Sequence, residues 1–100
     1  MKLKEGVRIV GVKPELLIGL MVAEQIFLEH GSELVVTSII DGKHKQKSKH
    51  YSGNAADLRI WYLDDAQKTV EDLQKALGDD FVVILESDHI HMHYEPKEPY

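Results

Sequence analysis

Histidine and aspartate at positions 50 and 57 frame the segment SKHYSGNAADLR (48 to 59), and a second cluster, DHIHMHY (88 to 94), carries His89, His91 and His93. Side chains alternate along a strand, so the three late rings would share one face, neighbours roughly 7 Å apart. Imidazole and carboxylate are ligands for a divalent metal. Catalytic zinc takes three protein ligands of these types and keeps a fourth position for water. His50, Asp57 and one of the late histidines would supply that set. Such an ion lowers the pKa of its water and polarises a carbonyl oxygen. A carboxylate must then take the water's proton and pass it to the leaving amine. Glu86 and Asp88 stand just before the late histidines. The competing reading, a solvent-facing strand on which histidine merely recurs, leaves His50 and Asp57 unexplained.

Composition narrows the chemistry further. The chain has no cysteine, which excludes disulfides, thiolate metal sites and cysteine nucleophiles together. Its 12 basic against 17 acidic residues give a net charge of −5, which argues against general binding to nucleic acid or to anionic membranes. The lysine-rich KHKQKSK (43 to 49) is a local exception and reads as a solvated loop. The longest apolar run, LLIGLMVA (16 to 23), is well short of the roughly 20 residues of a membrane-spanning helix. The opening MKLKEGVRIVGVK lacks the continuous apolar stretch of a secretory signal. The expectation is a monomer made in the cytoplasm.

The elements that must position these residues follow from patterning. One hundred residues, 43% of them hydrophobic, fit a single domain with one modest core. Segment 13 to 31 has proline at its start and glycine after its last turn, the asymmetry of a helix, with Leu16, Leu17, Leu20, Ala23, Phe27 and Leu28 as a broad apolar face. His30, at the end of that segment, would place a favourable charge near the helix carbonyls when protonated. ELVVTSII (33 to 40) is β-branched and predicts a strand. AADLRIWY (55 to 62) fits a short strand or a helical turn. Segment 63 to 78 predicts a second helix, with aspartate near its start, Ala66, Val70, Leu73 and Leu77 on one stripe, and Gly78 at its end. FVVILES (81 to 87) and HIHMHY (89 to 94) read as consecutive strands, and the chain is expected to fray from about residue 95. This order predicts an α+β fold, a small antiparallel sheet packed with two main helices.

The pattern S-x-H-x-x-G-x-A-x-D, present as Ser48, His50, Gly53, Ala55 and Asp57, and a late acid-x-x-His or His-x-His resemble the zinc D-alanyl-D-alanine carboxypeptidase family. That family includes D-Ala-D-Ala dipeptidases and phage L-alanyl-D-glutamate endolysins, and it shares its fold with the hedgehog signalling domain. The resemblance runs from about Leu34 to Tyr94, and the order and separation of the two motifs make it specific. It implies one zinc ion per chain, with His50 and Asp57 as ligands and the acid-x-x-His element supplying base and third ligand. Both Asp88 to His91 and Glu86 to His89 fit that element. The frame Met92, His93, Tyr94 favours Asp88 as base and His91 as ligand, which gives His89 to the substrate or the transition state. Glu86 is then the alternative base. Positions 88 and 91 fall on opposite faces of a regular strand, so a bulge or a strand start near Asp88 is required.

The implied function is hydrolysis of an amide in peptidoglycan stem peptides, of the D-Ala-D-Ala or L-Ala-D-Glu type, by a product that reaches the cell wall after release. Ser48, His44, Tyr51 and Arg59 are candidate substrate contacts. Arg59 would either hold a substrate carboxylate or pair with a surface acid, and Tyr51 and Trp61 would line a cleft or, as aromatics in a small domain more often do, join the core. One departure counts against turnover. Many relatives carry SGYR where this chain has Ser38, Ile39, Ile40 and Asp41, so a substrate-binding arginine is missing from its usual place. His44, Lys49, Arg59 or His89 would have to stabilise developing charge instead. The alternative expectation is a zinc-bearing binding module of the same fold without catalysis.

Overall fold

A computed structural model describes residues 1–40 and 55–97. Its elements are β1 (Lys2–Leu3), α1 (Pro14–Glu29), β2 (Val35–Ile40), β3 (Ala55–Arg59), α2 (Ala66–Leu77), β4 (Phe81–Leu85) and β5 (His89–Tyr94). Pro14 opens α1, where its fixed φ suits the first turn and its missing N–H costs nothing. Asp65 caps α2, its side chain accepting from the Lys68 amide at 2.9 Å. Gly78 ends that helix at φ 85°, a conformation disfavoured for residues with a Cβ.

The five strands form one mixed sheet in the order β1-β2-β3-β5-β4. β1, too short to predict from sequence, pairs parallel to β2; the other pairings are antiparallel. The fold is therefore α+β, a small sheet packed with two helices. AADLRIWY resolves as a strand over 55–59, because β2 and β5 flank it on both sides.

Alternation then sorts the strands. Val36, Ala56, Leu58, Ile90 and Met92 point to one face and join Leu16, Leu20, Ala23 and Phe27 of α1 and Val70 and Leu73 of α2 in a single core. Leu28 is not part of it: 57% exposed, it sits a turn past Phe27 on the outer side of α1, and Ile26 takes the inner position. Gly19 is where α1 presses closest, since a Cβ there would stand 2.7 Å from the Phe81 ring. Gln74 of α2 stitches the sheet edge: its amide nitrogen donates to the Gly78 and Phe81 carbonyls, both at 2.9 Å, and its oxygen accepts from the Val83 amide at 3.0 Å.

Candidate metal and hydrolytic site

The face of the sheet turned away from the core carries the chemistry. Antiparallel register sets Asp57 of β3 opposite His91 of β5, Arg59 opposite His89 and Ala55 opposite His93. Asp57 Oδ1 lies 3.2 Å from His91 Nδ1 and 3.5 Å from His89 Nε2. The three late rings share this face as strand alternation requires, and a single carboxylate from the neighbouring strand stands against two of them.

His91 and His93 are 9% and 5% exposed, a burial that obliges their ring nitrogens to find partners. They bond to each other, His91 Nε2 to His93 Nδ1 at 2.9 Å, and His93 Nε2 meets Glu95 Oε1 at 2.9 Å. An ionised carboxylate only accepts, so the proton of this last bond belongs to His93 Nε2. In a neutral ring His93 Nδ1 must then accept from His91 Nε2–H, and neutral His91 turns its Nδ1 lone pair toward Asp57. Two acceptors 3.2 Å apart repel unless a proton or a metal ion lies between them. Two ligand atoms on a tetrahedral ion with bonds of about 2.0–2.1 Å are themselves about 3.3 Å apart, so the observed pair has the spacing of two zinc ligands. A carboxylate-anchored chain behind a ligand imidazole is also the usual means of orienting it.

His89 is held differently. Asp88 precedes β5, so its carboxylate folds back beside the strand and takes a 2.7 Å bond with His89 Nδ1. The strand start demanded by the acid-x-x-His spacing is thus present. This hydrogen bond holds the His89 imidazole above its usual pKa against the opposing effect of burial, helped by the charges of Asp57, Asp88 and Glu86. The Asp88 side chain is 84% exposed. Glu86, in the same turn, is exposed, with its backbone amide donating to the His89 carbonyl at 2.8 Å.

Arg59 ends β3 with its guanidinium 3.7 Å over the Trp61 ring. Trp61 is 66% exposed and so belongs to the surface, not to the core that small-domain habit assigns it. The polar, β-poor turn that follows β3 leaves it no apolar neighbour but Tyr62, which it meets edge-on at 6.4 Å. Ser38 of β2 lies opposite Asp57. His50, Ser48, His44 and Tyr51, with Lys49 and Asp41, lie outside the described residues. Among the described residues no three histidine, aspartate or glutamate side chains converge as a complete metal site; the pair Asp57 and His91 makes up two of the three ligands expected.

Two participants were not read from the sequence. Glu95, assigned to a fraying tail, is instead held, with its amide donating to the Asp80 carbonyl at 2.6 Å and the Lys97 amide donating to Asp80 Oδ1 at 3.2 Å. His93 serves as the link between Glu95 and His91. Both follow from positions 91, 93 and 95 lying on one strand face. No helix among the described residues is long and apolar enough to cross a membrane. No protein-family model, curated protein or solved structure matches the chain.

Proposed function

We propose that the chain is a zinc-dependent peptidase that hydrolyses an amide bond in peptidoglycan stem peptides. The observation that carries this reading is the pairing of Asp57 Oδ1 with His91 Nδ1 at 3.2 Å, two acceptors that the Glu95–His93 relay turns toward each other. His50, Asp57 and His91 would hold the ion. When bound, zinc supplies a water of lowered pKa and a Lewis acid for the amide carbonyl.

The chain's own residues divide the remaining work. Asp57 contributes the negative charge of the donor set, and Glu95 fixes the tautomer of His91 through His93. Asp88 is the proton carrier, within 2.7 Å of His89 Nδ1. His89, charged by that contact, points its other nitrogen toward Asp57 and so stands where an oxyanion would form. Glu86 adds a second negative charge to the turn. The cytoplasmic origin and monomeric state expected from the sequence belong to this reading.

The test is release of amine from D-Ala-D-Ala and L-Ala-D-Glu stem peptides by zinc-loaded protein, beside Asp88→Asn and Glu86→Gln. Loss of roughly 10²–10⁴-fold in Asp88→Asn, with Glu86→Gln within a few-fold of the parent, is expected for a general base at Asp88. The reverse order would transfer the role to Glu86. A zinc-bearing module without turnover is the second reading, favoured by the exposure of Asp88 to water and by Asp41 in place of arginine. One bound zinc with no amine released from either peptide would establish it.

A further inference from the structure

On the site face of the sheet, one cation remains outside the charge pairing just described. Asp57 stands against His91 and His89, Asp88 against His89, and Glu95 against His93. Among the described residues no carboxylate pairs with the Arg59 guanidinium; its neighbour is the indole of Trp61, face-on at 3.7 Å. Stacking on an aromatic ring leaves the in-plane N–H fork of a guanidinium open, and that fork matches a carboxylate. Trp61 also restricts the rotamers of a long side chain, so less freedom is lost when a ligand is gripped.

Position carries the argument further. Arg59 follows Asp57 by two residues on β3 and lies on the same face, opposite His89, so its Cα is about 7 Å from that of Asp57. A peptide whose scissile carbonyl sits at Asp57 and His91 has the carboxyl group of its leaving amino acid one residue away, about 3.5 Å farther on. A flexible guanidinium anchored two strand positions along can cover that separation. The sequence left Arg59 divided between a substrate carboxylate and a surface acid, and the stacked, unpaired guanidinium favours the first.

We propose that Arg59, braced by Trp61, forms a carboxylate-binding subsite that selects peptides whose leaving amino acid carries a free carboxylate beside the scissile nitrogen. A C-terminal D-alanine and a γ-linked D-glutamate share this chemistry, and an amidated terminus lacks it. The substrate selection rests on the peptidase reading; the subsite itself is a statement about binding and is tested as such.

Trp61 is the only tryptophan of the chain, so its fluorescence reports directly on ligands at Arg59. The probes are N-acetyl-D-alanyl-D-alanine and its C-terminal amide, titrated into the protein with and without added zinc, while zinc content is measured on the same samples. The acid is expected to bind roughly tenfold or more tightly than the amide, as befits a hydrogen bond between charged groups. Arg59→Gln should abolish that difference with zinc content unchanged, and Arg59→Lys should keep part of it. Equal binding of acid and amide, a preference that survives Arg59→Gln, or no response to either peptide at millimolar concentration overturns the proposal. Carboxylate preference in a protein that takes up no zinc would uphold the subsite while removing the peptidase reading.

Discussion

His91 and His93 project from the same side of β5, and their rings meet with 2.9 Å between Nε2 and Nδ1, which makes the second imidazole a link between the first and Glu95. Cutting this link leaves both proposed ligands in place. Glu95→Gln replaces an obligate acceptor by an amide that can present N–H to His93, so the tautomer of His91 is no longer dictated. Zinc affinity should fall about 10–100-fold, the usual effect of removing an outer partner of a ligand imidazole. Competition with a chromophoric chelator reads it directly, and unchanged affinity would mean that the relay does not set the ligand.

Gln74 joins α2 to the edge strand β4 through three hydrogen bonds to backbone groups. Alanine at this position removes all three partners at once from a half-buried junction. Gln74→Ala is expected to lower unfolding free energy by about 1–3 kcal/mol in a denaturant titration. A loss below about 0.5 kcal/mol would show that water replaces the amide without penalty.

Gly19 sets the distance between α1 and the sheet. A methyl group there gains about 1 kcal/mol of helix propensity, but it enters within 2.7 Å of the Phe81 ring and 3.1 Å of the Met92 methyl. Overpacking of this kind costs about 1–3 kcal/mol, so Gly19→Ala should be net destabilising. A raised melting temperature would mean that Phe81 yields easily.

At the far end of the molecule, His30 Nε2 meets Asp72 Oδ2 at 2.8 Å and ties the end of α1 to α2. The hydrogen bond from His30 holds the Asp72 carboxyl below its usual range, with burial opposing and Lys68 assisting. A depressed carboxylate stabilises the fold above its unfolded pKa of about 3.9, and this stabilisation is lost as pH falls through the folded value. Asp72→Asn should therefore be less stable than the parent at pH 6 and approach it at pH 2–3. A stability difference independent of pH would remove the ion pair from the account.

Much of this arrangement was legible in the residues. The α2 stripe with Asp65 before it and Gly78 after it specified that helix locally, and the alternation of His89, His91 and His93 specified their common face. The sequence also brought Asp57 and a late histidine together, by motif order. What it lacked was register: nothing local says that Asp57 pairs with His91, because the pairing is made by β3 and β5 packing Ala56, Leu58, Ile90 and Met92 on the core side. β3 itself was ambiguous for the same reason, its two alanines being at home in either element until neighbouring strands decide. Trp61 misled because aromatic bulk predicts burial, whereas here its partner is a guanidinium on the surface. Leu28 misled because an apolar residue at a helix end need not lie on the inner arc.

The central claim is that Asp57 and His91 face each other across a metal ion, and the most direct measurement is zinc stoichiometry and affinity of the purified chain beside Asp57→Ala and His91→Ala, with folding checked by circular dichroism. The account predicts one zinc per chain, tightly held, with binding lost in both variants while the helices and sheet persist. A folded parent protein that binds no zinc, or one whose zinc survives the loss of either side chain, would contradict it.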